Sequence, residues 1–203
     1  MVEDIEVLKN DLKKVLKESR YNHSICVMNM CELLAKKYNG DIKRARLVGL
    51  MHDMAKDMTK EEKIKYVKEN NLECSIIEEK IVEILHGKIA ADICKKSYGF
   101  DEEMCTAIQY HTTGKENMTL LEKILFVADK IDETREYEGV EELRKLAFED
   151  LDKAIIKNID DTLIINIGKN KLILEESIKT RNNLLLNSEN YKNVWYNKTT
   201  IFN

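Results

Sequence analysis

Leu47-Val48-Gly49-Leu50-Met51-His52-Asp53-Met54-Ala55-Lys56 is an apolar run that ends in a histidine–aspartate pair. Putting such a pair behind apolar residues is costly unless the two side chains are paired or hold a metal. Lys56 follows Asp53 by one helical turn, so an ordinary salt bridge is the competing explanation. Asp41 stands upstream as a cap, and the run reads as a helix from there to about Met54.

Helical periodicity extends to both sides of this segment. Ile5, Leu8, Leu12, Val15 and Leu16 mark one face of a first helix. A second runs from about Asn22 to Tyr38, with Cys26, Val27, Met30, Leu33 and Leu34 as its apolar face, and Asn39-Gly40 stops it. Downstream, Thr59 with Glu62, Ser75 with Glu78, and Thr119 with Glu122 each fit the capping-box spacing at a helix start. Asp101 can cap the segment that holds Met104, Ile108 and Tyr110, with Gly99 and Gly114 on either side. Past Gly139 come a short helix and then a long one with Ile155, Ile156, Ile159, Leu163, Ile164 and Ile167 on its apolar face. That helix is expected to continue past Leu172 and Ile178 to Leu186. The 203 residues include no proline and only 7 glycines, so little interrupts a helix. The expected fold is all-α: one helical bundle over residues 1–186, followed by a polar tail or extended clasp over 187–203.

Composition removes several function classes. Lys and Arg number 33 against 37 Asp and Glu, a net charge of −4, which argues against a sequence-independent DNA or RNA binder. Met1 to Leu16 is amphipathic and lacks the apolar core of a signal peptide. No apolar run is long enough to span a membrane, so a cytoplasmic protein without a membrane partner is expected. Five cysteines, at 26, 31, 74, 94 and 105, form no CxxC pair. They suit a reducing compartment and the role of small buried apolar residues.

The chain has only four histidines, His23, His52, His86 and His111. Each falls on or at the end of a different expected helix, beside apolar residues. Asp129 closes a similar run, Ile124-Leu125-Phe126-Val127-Ala128-Asp129. Residues so placed can converge inside a bundle on a metal site. Any one of these histidines alone is more often a satisfied core residue, but four independent core roles are a poorer account of the pattern. Imidazole and carboxylate ligands suit iron, manganese, zinc or nickel. Six ligands exceed what one open catalytic ion needs and suit two ions that share a bridging carboxylate.

Five segments carry a family resemblance: Arg20-Tyr21-x-His23, Leu50-Met51-His52-Asp53-Met54-Ala55-Lys56, Leu85-His86-Gly87, His111-Thr112-Thr113-Gly114 and Ala128-Asp129-Lys130-Ile131-Asp132-x-x-Arg135. In order and spacing the chain resembles the HD-domain metal-dependent phosphohydrolases. More narrowly it is similar to the YqeK-type bacterial symmetrical diadenosine tetraphosphate hydrolases, from about Arg20 to Leu186 and including Thr180-Arg181-Asn182. That family commonly has a proline within the segment here reading Ile131-Asp132-Glu133-Thr134-Arg135, so the turn before Arg135 is expected to be set differently.

The resemblance implies two divalent or mixed-valence transition-metal ions, iron first, on His23, His52, Asp53, His86, His111 and Asp129. Asp53 would bridge them, and a shared hydroxide would attack the middle of the tetraphosphate to give two ADP. Asp53 and Lys56 would be the catalytic residues. Lys56, Arg135 and Arg20 are candidates to clamp phosphates, each with a structural ion pair as the alternative. Thr112 and Thr113 would donate to a phosphate or simply cap a helix end. A nucleotidase or dNTP phosphohydrolase with the same metal site, and a non-catalytic nucleotide-sensing module, are the competing functions. The partner expected is a small dinucleoside polyphosphate or nucleotide, and the long apolar helix faces fit a homodimer.

Overall fold

The computed structural model describes residues 4–188, which form eleven α-helices and no strand. They are α1 (Ile5–Val15), α2 (Glu18–Lys37), α3 (Ile42–Met51), α4 (Lys60–Glu69), α5 (Ile76–Lys80), α6 (Leu85–Tyr98), α7 (Glu102–Tyr110), α8 (Leu120–Ile131), α9 (Val140–Glu149), α10 (Leu151–Gly168) and α11 (Glu175–Asn187). A single turn of 3₁₀-helix, Val82–Ile84, leads into α6. The all-α expectation holds. Residues 189–203, and with them nearly all of the expected tail, lie outside the described residues.

Local chemistry starts most of the helices. All three capping boxes form, at Thr59, Ser75 and Thr119. Asp41 and Asp101 cap α3 and α7. Gly99 closes α6 in the left-handed conformation, and Asn39 takes a positive φ after α2.

The core forms around α8, where every residue from Ile124 to Asp129 is buried. A helix covered on all sides belongs at the centre of a bundle. α2, α3, α7 and α10 pack against it. α2 and α3 pack tightly at Gly49. A Cβ there would stand 2.8 Å from Cys31 Sγ and 3.0 Å from Met28 Cα, so only glycine lets the helices approach.

Several expected faces and ends are corrected. α2 starts at Glu18, and its buried stripe is Ser24, Val27, Met28, Cys31, Leu34 and Ala35, while Leu33 is exposed. The face is set by the contact with α3 and not by the largest side chains. Val15 is likewise exposed, and α1 instead buries Leu8 and Leu12. α3 ends at Met51, three residues early, because the chain tightens into turns such as Lys56 N–H to the Asp53 carbonyl. The last long helix is two. α10 ends at Gly168, Asn170 turns with positive φ, and α11 starts afresh at Glu175. Ile155 and Ile159 are buried, but Ile164 and Ile167 are exposed and border an open groove beside α11. α11 returns to the bundle through Thr180, which packs on Gly114 and bonds the carbonyls of Glu176 and Thr113.

Gly49→Ala forces a methyl group into the α2–α3 contact. It is expected to lower stability by about 1–3 kcal/mol, read as a lower urea midpoint. An unchanged midpoint would show that the helices can separate without cost.

Candidate metal centre

Three of the four histidines are held in the same way. His52 follows α3, His86 lies in the first turn of α6, and His111 follows α7. Each ring donates from Nδ1 to the backbone carbonyl three residues earlier: Gly49 at 2.7 Å, Glu83 at 2.6 Å and Ile108 at 2.7 Å. A carbonyl only accepts, so each Nδ1 carries the proton and each Nε2 presents a lone pair to the interior. His23 sits inside α2, where helical bonding already uses the nearby carbonyls. Its Nδ1 instead faces the Asp132 carboxylate at 3.4 Å, and its Nε2 lies 3.0 Å from Asp129 Oδ1.

These inward atoms crowd together. His86 Nε2 is 3.1 Å from His111 Nε2 and 3.0 Å from Asp53 Oδ1. His52 Nε2 lies 3.6 Å from Asp53 Oδ2 and 3.7 Å from Asp129 Oδ1. Lone pairs facing one another at such distances repel unless a cation sits among them. His52 Nε2 and Asp53 Oδ1 are buried and have no hydrogen-bond partner. Unpartnered buried acceptors of this kind fit a metal site. Two sets offer ligand atoms that all lie within 4.8 Å of one another: His23, His52 and Asp129, and His52, Asp53 and His111. Asp53 turns Oδ1 toward His86 and His111, and Oδ2 toward His23 and His52. Its two oxygens therefore face different parts of the cluster.

The electrostatics favour ligation. Burial alone would raise the Asp53 carboxyl, but His52, His86 and His111 hold it well below the usual carboxylate range. Burial opposes ionisation of Asp129 too, yet Lys130 and His23 keep its carboxyl well below that range. Burial together with the neighbouring His86 and His52 pushes His111 well below the ordinary imidazole value, and burial lowers His86. The carboxylates stay charged and these imidazoles neutral, the forms that bind metals.

Cations edge the cluster. Arg20 Nη1 bonds Asp53 Oδ2 at 2.9 Å. Lys56 Nζ stands 3.2 Å from His86 Nε2 and 3.9 Å from Asp53 Oδ1. Arg135 Nη2 reaches Asp129 Oδ1 at 2.6 Å, and its Nε bonds the Asp129 carbonyl and the Asp132 carboxylate. The structure thus brings every expected ligand and all three expected cations to one place. Thr112 and Thr113 stand apart from the cluster. Both border a neighbouring cavity, and the Thr113 hydroxyl donates to the Gly114 carbonyl.

Lys130 and Asp132 stand within a family segment, but sequence alone gives neither a role. Asp132 is fully buried, faces His23, and accepts from the Thr134 N–H and hydroxyl. That Asx turn shapes the segment in which the family commonly has proline. Its spacing of three from both Asp129 and Arg135 was the available signal. Lys130 Nζ pairs with Asp129 Oδ2 at 2.6 Å. No described helix is long and apolar enough to cross a membrane.

The HD domain model matches residues 20–134, which span all six expected ligands. Among curated proteins, the symmetrical bis(5'-nucleosyl)-tetraphosphatase of Bacillus subtilis is 35% identical, covering 87% of this chain and 95% of its own. The enzyme of the same name from Halalkalibacterium halodurans is 39% identical, over 86% of this chain and 94% of its own. A crystal structure from Clostridium acetobutylicum, described as a predicted HD superfamily hydrolase involved in NAD metabolism, superposes with a TM-score of 0.89. It is 38% identical, over 93% of this chain and all of that one. The chain belongs to the HD-domain family, in the branch that includes the symmetrical bis(5'-nucleosyl)-tetraphosphatases.

Proposed function

We propose that this chain hydrolyses diadenosine tetraphosphate symmetrically: one water is consumed, the central P–O–P linkage breaks, and two ADP are released. The observation that carries this reading is the buried cluster of four inward imidazole nitrogens and two charged carboxylates, in a chain whose relatives bear that enzyme name. His23, His52, Asp53, His86, His111 and Asp129 would hold two transition-metal ions, iron first, with Asp53 shared between them. Such ions supply a water acidified toward neutrality and positive charge beside the phosphate oxygens.

The remaining work falls to side chains. Lys56 and Arg20 at Asp53, and Arg135 with Lys130 at Asp129, place four cations along the path a polyphosphate must follow. They offset its charge and hold the bridge in line for attack at its midpoint. Arg135 offers a planar fork, and Lys56 a compact point charge. All four histidines stand in the ligand set, so no imidazole remains to protonate the departing ADP. A phosphoanhydride needs little help there, because its leaving group is already a weak base. Asp132 holds the His23 ring in place, as a carboxylate behind a metal-ligating histidine does.

Purified protein, given a panel of dinucleoside polyphosphates, dNTPs and nucleoside monophosphates, is expected to turn diadenosine tetraphosphate into ADP alone. Appearance of ATP and AMP would overturn the symmetrical cut, and turnover of only the mononucleotides would make this a nucleotidase. Asp53→Ala is expected to lose both metal and turnover while its far-ultraviolet dichroism stays helical; full activity in that variant would remove Asp53 from the site. Asp132→Asn should weaken metal affinity by roughly 10- to 100-fold, measured by competition with a chelating dye. Unaltered affinity would reduce Asp132 to shaping the turn.

A further inference from the structure

A helix end leaves its last carbonyls without helical partners. α8 meets this need in an unusual way. Its last regular bond runs from the Asp132 N–H to the Ala128 carbonyl at 3.0 Å. The next three carbonyls accept from side chains that lie later in the chain. Asp129 accepts from Arg135 Nε at 2.8 Å, Lys130 from the Tyr137 hydroxyl at 2.9 Å, and Ile131 from Arg144 Nε at 2.9 Å. Arg144, on α9, goes further. Its Nη2 donates to the Asp132 carbonyl at 2.7 Å and to the Arg135 carbonyl at 2.9 Å. Those two residues are the first and last of a turn closed by the Arg135 N–H and the Asp132 carbonyl at 3.1 Å. Glu141, one helical turn before Arg144, pairs with its Nη1 and steadies the guanidinium. Glu133 stands at the second position of the turn, where a proline would pre-set φ, and the chain has no proline. The turn is instead held from outside, by one side chain that grips the main chain at both of its ends.

We propose that Arg144 is the positioning residue for Arg135: by bridging the carbonyls of Ile131, Asp132 and Arg135 it fixes the turn that aims the Arg135 fork along the phosphate path. This rests on the tetraphosphatase reading above, in which Arg135 clamps phosphate, and adds to it a residue that acts through another side chain. Among the described residues, the bonds of Arg144 run to main chain and to Glu141, so its influence passes through the segment it grips. That segment carries the two side chains that matter. Arg135 Nη2 reaches Asp129 Oδ1 at 2.6 Å, and the Asp132 carboxylate takes the Arg135 Nε at 3.1 Å. A planar fork must be aimed to bind phosphate in two places at once. Small misplacements of a positioning group are costly to a reaction. A main-chain grip on both sides of the turn is the kind of restraint that such aiming needs.

The test is a double-mutant cycle on metal-loaded protein, read as kcat/KM for diadenosine tetraphosphate and as the Kd of inorganic tripolyphosphate by calorimetry. Arg144→Met keeps the length of the side chain and removes every donor. Alone, it is expected to lower kcat/KM and weaken tripolyphosphate binding by about tenfold. In an Arg135→Ala background the same substitution is expected to change either quantity by less than about twofold, because residues of one network do not add. Arg144→Lys serves if the methionine variant does not fold. It keeps the charge but exchanges the planar fork for donors on a single nitrogen, and a loss of about threefold or more is expected. Three results would overturn the assignment. A folded Arg144 variant could match the unaltered protein in both quantities. The loss could be equal with and without Arg135, which would make Arg144 a prop of the fold. Arg135→Ala could itself bind tripolyphosphate as the unaltered protein does, which would leave nothing to position. Failure of the activity reading looks different: the unaltered protein would leave diadenosine tetraphosphate intact, while the tripolyphosphate arm of the cycle still reports on Arg144.

Discussion

The site depends on one repeated bond, from an imidazole Nδ1 to the carbonyl three residues earlier. It fixes the proton on the outer nitrogen of His52, His86 and His111, and so turns three bare lone pairs inward. Asp53 and Asp129 add negative charge at the same point. The interior thus gathers more acceptors than the flanking Arg and Lys side chains satisfy, and His52 Nε2 and Asp53 Oδ1 are left without a partner, which suits a bound cation. The surrounding helices act as its frame. α3, α6 and α7 each deliver one histidine at or near an end, α2 delivers His23 from its middle, and α8 carries Asp129 through the centre of the core.

Charge is balanced in layers around that centre. Arg20, Lys56, Lys130 and Arg135 each lie against one of the two carboxylates. Asp132 in turn takes the Arg135 Nε at 3.1 Å. An incoming polyphosphate therefore meets cations that are already ordered, and the cost of fixing their side chains falls on folding and not on binding.

Local signals were legible in the sequence and long-range ones were not. Thr59, Ser75 and Thr119 cap helices because partners three residues away suffice. The six expected ligands could be picked out because so few histidines exist and because His52-Asp53 and Asp129 each close an apolar run. The buried face of α2 was not, since Ser24 and Cys31 are covered by α3 while the larger Leu33 faces solvent. The break at Asn170 left no proline to mark it, and an asparagine with positive φ does that work. Asp132 received no role from sequence because that role exists only once His23, remote in sequence, stands beside it.

The manner of holding the four rings has an evolutionary consequence. The acceptors behind His52, His86 and His111 are main-chain atoms, present whatever residue occupies those positions. The acceptor behind His23 is a side chain, and a single codon change can remove or alter it. Substitution at position 132 can thus alter the basicity of the His23 ring while the other three rings keep their main-chain acceptors.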